Sequence, residues 1–136
     1  MKYLLDTNVL ILIIEQNFDL ISKNQLDILI NNSDSLYVSE ASYYEMSIKI
    51  RLNKLKLKNI NFEDIDQARK KLKIKLLKSN TAHYINIHKI EQVEYNGKTH
   101  SDPFDLLIIS QSVSEKMTII STDRVFPYYK IANVIS

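Results

Sequence analysis

The chain contains no cysteine, and its only glycine is Gly97. Without cysteine there are no disulfides, thiolate nucleophiles or cysteine zinc sites, a composition that suits a reducing cytoplasm. One glycine is too few for the three-glycine dinucleotide fingerprint or the two-glycine phosphate loop, and it rules out the Gly-x-Ser-x-Gly elbow of hydrolases. The three histidines, His83, His88 and His100, do not form a His-Glu-x-x-His zinc pattern. No apolar run approaches the ~20 residues of a membrane span. Lys2 followed by Val9–Ile14 faintly resembles a leader, but Asp6 and Asn8 interrupt the apolar run and no small-residue cleavage site follows. The expectation is a cytoplasmic protein with no membrane partner, and carboxylates are its main chemical resource.

The 136 residues suffice for one domain with a real core, and the whole of 1–136 reads as one. Hydrophobic residues make up 45% and charged residues 25%, as in a globular protein. The net charge of +2 hides an uneven distribution. Residues 49–78 hold eleven Lys/Arg against three acids, a local +8, which leaves −6 on the remainder. A basic segment beside an acidic remainder suits a nucleic-acid backbone lying near an acidic pocket, although it equally fits a wet, lysine-rich helix pair.

Short apolar runs alternate with helical patterns. Lys2–Leu5 and Leu36–Val38 read as strands, as do Ile74–Leu77, Thr118–Ser121 and Ala132–Ile135. Helices are expected at Val9–Glu15, Phe18–Asn31, Ser39–Leu52, Phe62–Lys73 and Thr81–Ile90, and from Pro103 to about Lys116. The third would bury Ala41, Tyr44, Ile48 and Leu52, the fourth Ile65, Ala68 and Leu72, and the last Leu106, Leu107, Ile109 and Val113. Asn53–Asn61 reads as a basic connection and Glu91–Ser101 as a polar loop. This order predicts an α/β protein with a mostly parallel sheet and helices on both faces, whose ligands bind beyond the carboxyl ends of the strands.

Four acids fall where such a sheet would gather them: Asp6, Glu45, Asp105 and Asp123. Each also has an ordinary reading. Asp6 fits a helix N-cap, Ser42-x-x-Glu45 fits a capping box, and Asp123 fits a turn. Ser39 is the better cap for its helix, which places Glu45 further along it. Asp102-Pro103 is a strong helix start, so Asp102 is assigned to capping and support and Asp105 to the metal. Ser121 and Thr122 add hydroxyls able to hold a ligating carboxylate. Four carboxylates at one sheet edge cannot all stay ionised without a cation, and hard cations such as Mg²⁺, Mn²⁺ and Ca²⁺ take oxygen ligands. The cluster therefore points to a metal site and phosphate chemistry.

Several segments resemble the PIN-domain family, and within it the VapC-type ribonuclease toxins of prokaryotic toxin–antitoxin pairs. They are Leu4-Leu5-Asp6-Thr7-Asn8-Val9-Leu10, Val38–Lys49, Arg51–Leu55, His100-Ser101-Asp102-Pro103-Phe104-Asp105 and Ile119–Asp123, in order along the chain. The resemblance implies a three-layer α/β/α sandwich. It also implies an acidic quartet of Asp6, Glu45, Asp105 and Asp123 holding Mg²⁺ or Mn²⁺, a homodimer, and a cognate antitoxin whose tail occludes the site. Relatives often carry Arg at the positions of Ser101 and Leu106, and Gly at that of Asn53.

The expected activity is metal-dependent endonucleolytic cleavage of single-stranded or loop RNA. Thr7, Asn8 and Thr122 would orient ligands, while Lys49, Arg51, Lys54 and His100 are candidates for RNA contact. The alternatives are a PIN-like module that grips RNA or protein without cutting, and a nuclease acting on DNA. A haloacid-dehalogenase-type phosphatase is disfavoured because Asp6-Thr7-Asn8 has Asn where that class needs a second Asp.

Overall fold

A computed structural model describes residues 1–55 and 60–136. The expected basic connection over 53–61 lies partly outside the described residues, as do Lys56 and Lys58. In chain order the elements are β1 (Tyr3–Leu5), α1 (Thr7–Ile14), α2 (Lys23–Asn31), β2 (Leu36–Ser39), α3 (Glu40–Arg51), α4 (Phe62–Lys71), β3 (Lys75–Leu77), α5 (Thr81–Ile87), β4 (Glu94–Tyr95), β5 (Lys98–Thr99), α6 (Pro103–Ser114), β6 (Thr118–Ile120) and β7 (Asn133–Ile135).

Five of the strands form one parallel sheet in the order β3-β2-β1-β6-β7. The chain steps outward from β1 through β2 to β3, then returns to the other side of β1 with β6 and β7. The reversal falls between β1 and β6, where such sheets open a crevice at their carboxyl edge. Leu5 pairs with Val38 on one side and Ile120 on the other, so Asp6 and Ser121 leave the sheet side by side.

Alternation along the strands builds the two cores. Tyr3, Leu5, Leu36, Val38 and Ile120 face Val9 and Leu10 of α1, Leu29 of α2 and Ile65 of α4. Leu4 and Ile119 face Ile108 and Ile109 of α6, together with Val125, Phe126 and Tyr129. The result is a parallel sheet with helices on both faces, as the alternating pattern predicts, and so the α/β/α sandwich that the family resemblance implies. α3 contributes Ala41 to the second core and Met46 to the first.

Caps explain where the structure departs from the expected boundaries. Asp6 accepts from the Val9 N–H, so α1 starts at Thr7 rather than Val9. Phe18–Asn31 is not one helix. Phe18–Leu20 is a short 3-10 turn, and a Ser22/Gln25 capping box starts α2 at Lys23. α4 and α5 stop at Lys71 and Ile87, short of the expected ends. On α3 the buried residues are Ala41, Ser42 and Met46, while Tyr44 and Leu52 of the expected stripe are exposed. Leu72 is exposed beyond α4, and on α6 Ile108 is buried beside the expected Ile109, while Leu106 and Leu107 pack half-buried against the second core. Asn53 adopts φ 53 just past α3, the left-handed conformation that ends many helices and that Asn tolerates. The loop after α5 contains the antiparallel hairpin β4–β5, turned by Asn96 (φ 53) and Gly97 (φ 75). Two successive positive φ values are what a two-residue hairpin needs, and Asn-Gly supplies them.

One buried polar side chain ties the layers to the sheet end. The Gln25 amide donates to the Ser121 carbonyl at 2.8 Å and the Ile135 carbonyl at 3.0 Å. Removing it leaves both carbonyls without that donor. Gln25→Ala is expected to cost about 2 kcal/mol, read from the urea midpoint at constant m.

Candidate active site

The carboxyl edge at the strand-order reversal opens into a cleft of ≈ 230 Å³. It is lined by Asp6, Thr7, Asn8, Glu45, Lys49, Asp102, Asp105, Asp123 and Phe126. All four acids of the expected quartet therefore face one space, with Asp102 beside them. Each arrives from a different element. Asp6 follows β1 and caps α1, Glu45 lies mid-α3, Asp102 caps α6 with Asp105 in its first turn, and Asp123 follows β6.

Asp6 is almost fully buried. Its Oδ1 accepts from the Val9 N–H at 2.8 Å and its Oδ2 accepts from the Ser121 hydroxyl. That hydroxyl in turn accepts from the Asp123 N–H at 2.9 Å, so one serine links two acids. Asp123 Oδ1 accepts from the Val125 N–H at 3.0 Å. Asp102 caps α6 by accepting from the N–H groups of Phe104 (2.9 Å) and Asp105 (3.0 Å).

Glu45 is held from both sides. The Thr7 hydroxyl lies 2.7 Å from Glu45 Oε1 and 2.8 Å from Ser42 Oγ. With one proton to give, Thr7 donates to the carboxylate and accepts from Ser42. Lys49 Nζ pairs with Glu45 Oε2 at 3.0 Å. The Ser42-x-x-Glu45 spacing thus serves a shared contact with Thr7 and not a capping box, because Ser39 caps α3.

Crowding raises two of the acids. Burial pushes the Asp6 carboxyl up to about 6, with Asp123 adding to the rise against the pull of Ser121, Val9 and the Thr122 N–H. Asp105 is pushed up to about 8, first by burial and then by the charges of Asp102, Asp123, Glu45 and Asp6. Among the described residues, no three His, Cys, Asp or Glu side chains form a ready-made ligand set. The partners explain this: Glu45 turns to Thr7 and Lys49, Asp123 to a backbone amide, and Asp105 to His100. The donors facing the cleft are nevertheless carboxylate, hydroxyl and amide groups, the chemistry a hard cation takes, and the raised protons mark where added positive charge would be accepted.

The supporting candidates divide. Thr7 and Asn8 line the cleft, whereas Thr122 lines a neighbouring hollow with Ser22, Gln25 and Arg124. Among the basic candidates, Lys49 lines the cleft and Arg51 and Lys54 lie on exposed surface beyond it. His100 turns inward: Nε2 lies 3.1 Å from Asp105 Oδ2 and Nδ1 lies 2.6 Å from the Tyr129 hydroxyl. Ser42 and Tyr129 join the site without a clear mark in the sequence. The Ser42 spacing is visible but ambiguous, and nothing local marks Tyr129.

A family model described as PIN domain matches residues 3–132. The chain belongs to the PIN domain family. The solved structures similar to this PIN domain include VapBC2 from Rickettsia felis bound to a DNA fragment from their promoter, at 20% identity and TM-score 0.72 over 99% of this chain and 98% of that one. DNA-bound VapBC from Salmonella typhimurium is similar at 16% identity and TM-score 0.69, covering 99% and 97%. VapBC-1 from nontypeable Haemophilus influenzae is similar at 21% identity and TM-score 0.67, covering 100% and 98%. At these identities the likeness establishes the fold. No curated protein matches the chain by sequence. None of the described helices of this PIN domain is long and apolar enough to cross a membrane.

The raised acids have a consequence for stability. Both folded values exceed the 3.8 of an ordinary aspartate, so the folded chain binds these protons more tightly than the unfolded one. Their contribution is fully present below about pH 4 and is lost as pH rises through 6 and then 8. In EDTA, Asp105→Asn is expected to stabilise the protein at about pH 8.5 by more than ~1 kcal/mol and to have little effect at about pH 4, as measured by urea unfolding.

Proposed function

We propose that this PIN domain is a metal-dependent endoribonuclease. It hydrolyses phosphodiester bonds in single-stranded or loop RNA, as the toxin of a VapC-type toxin–antitoxin pair in the cytoplasm. The observation that carries the reading is the convergence of Asp6, Glu45, Asp105 and Asp123 on one cleft, where burial and neighbouring charges raise Asp6 and Asp105 above an ordinary aspartate.

Asp6 and Asp105 would anchor Mg²⁺ or Mn²⁺, with Glu45 and Asp123 completing the oxygen ligands. When bound, the cation supplies Lewis-acid stabilisation of the charged phosphate and a water of lowered pKa. Ser121 and the Val9 amide keep the Asp6 oxygens aimed at the cleft. Thr7 holds Glu45 by Oε1, which leaves Oε2, now facing Lys49, to take the proton of the attacking water. Lys49 is then free to meet a phosphate oxygen, and Arg51 and Lys54 extend the basic surface along the strand. Asn8 is exposed at the cleft mouth, within reach of the substrate backbone.

The VapBC likeness supports an antitoxin partner, the family resemblance implies a homodimer, and two apolar surfaces suit protein contacts. Tyr44, Tyr84 and Ile85 are exposed, the first two around a hollow with Phe104 and Leu107. Ile13, Phe18, Leu26, Ile30 and Leu72 line another hollow of ≈ 200 Å³.

The test compares single-stranded RNA, single-stranded DNA and a small phosphoester with Mg²⁺ or Mn²⁺. RNA is expected to be cut, and Asp6→Asn to lose several kcal/mol of transition-state stabilisation, at least about a hundredfold in rate. Equal rates for wild type and variant would overturn the assignment, and preference for DNA would overturn the substrate.

A further inference from the structure

Asp105 differs from the other acids in how it is held. Asp6, Asp102 and Asp123 each accept a backbone N–H, and Glu45 has Thr7 and Lys49. Among the described residues, the hydrogen-bond partner of the Asp105 carboxylate is His100. The direction of that carboxylate therefore follows the imidazole, and the imidazole is itself clamped. The His100 backbone N–H donates to the Val93 carbonyl at 2.8 Å, its ring packs edge-on against Tyr129 at 5.6 Å between centroids, and Nδ1 meets the Tyr129 hydroxyl at 2.6 Å. Tyr129 is buried, with 1% of its surface exposed.

The chemistry of these groups fixes the direction of the chain. An ionised carboxylate, the form a cation takes, only accepts, so Nε2 must carry the proton it donates to Asp105. A neutral ring protonated at Nε2 has an acceptor at Nδ1, and the phenol is the donor that fills it. Burial, with the charges of Asp105 and Glu91, raises the phenol, so it keeps its proton. We propose that Tyr129 is a positioning residue: by donating to His100 Nδ1 it locks the Nε2–H tautomer, which holds Asp105 Oδ2 and so orients the carboxylate that would take the cation. The role of His100 is then to orient a ligand, and not to contact RNA. The inference rests on the metal site of the proposed function.

The test measures Mn²⁺ affinity by calorimetry and the His100 tautomer by ¹⁵N NMR in the Mg²⁺-loaded protein, so neither readout needs turnover. Wild type is expected to be protonated at Nε2. Tyr129→Phe, which keeps the ring and its packing, is expected to weaken Mn²⁺ binding about tenfold with little change in thermal midpoint. His100→Ala should lose at least as much. His100→Gln places an amide donor near the Nε2 position, so it should retain most of the affinity and make Tyr129→Phe silent in its background. Three results would each overturn the relay: unchanged affinity in Tyr129→Phe, an Nδ1–H tautomer in wild type, or a Tyr129→Phe effect of equal size in the His100→Gln background. A wild type that binds no Mn²⁺ overturns it together with the proposed function. A wild type that binds Mn²⁺ through the relay but cuts no RNA overturns the proposed function alone.

Discussion

Burial of carboxylates gathered at one edge of a parallel sheet, with the repulsion among them, is the constraint on which the rest of the site depends. Raising one aspartate from 3.8 to about 8 represents several kcal/mol of disfavoured ionisation, comparable to a large share of a small domain's stability. Such a cluster persists only where the fold over-determines it. Here the fold does so with its own anchors for each acid: Ser121 and Val9 for Asp6, Thr7 and Lys49 for Glu45, Val125 for Asp123, and the His100–Tyr129 pair for Asp105. The anchors hold the carboxylates near one another with one lysine among them, Lys49 on Glu45, which leaves a deficit of positive charge in the cleft.

The topology explains why the acids meet. Stepping outward to β3 and then returning across β1 puts the ends of β1 and β6 side by side, and it brings the start of α6 and the middle of α3 over the same edge. Gln25 helps to keep that edge in place by tying α2 to the carbonyls of Ser121 and Ile135. The residues that support the fold at this edge are therefore also those that position the site, as Ser121 illustrates by serving Asp6 and Asp123 at once.

Much of this is legible along the chain because it is local. Strand identity follows from apolar runs, and Asp6, Ser39 and Asp102 as caps follow from their place before helical patterns. The α/β rule for where strand ends lie gathers Asp6 and Asp123, whereas Asp105 in the first turn of α6 and Glu45 in mid-α3 arrive with the packing of their helices. What the local pattern misses depends on contacts distant in sequence. The stripe expected on α3 fails because that helix packs against two cores at once, so Ser42 and Met46 are buried while Tyr44 is not. The Ser22/Gln25 cap cuts the expected Phe18–Asn31 helix short, and Gln25 is buried for its reach to β6 and β7, which no local pattern reveals. His100 reads as a candidate for RNA contact because, although Asp105 is close by in the chain, Tyr129 reaches it from a distant segment. The Asn96-Gly97 hairpin is readable in principle, but its strands are only two residues each.

Crowding in the cleft favours a proton that a divalent cation should replace. Calorimetric titration of Mg²⁺ or Mn²⁺ at about pH 7 in buffers of different ionisation enthalpy counts the protons released on binding. With Asp105 near 8 and Asp6 near 6, release of about one proton per protein is expected, disappearing as pH is raised well above 8. Binding without proton release, or no binding at all, would contradict it.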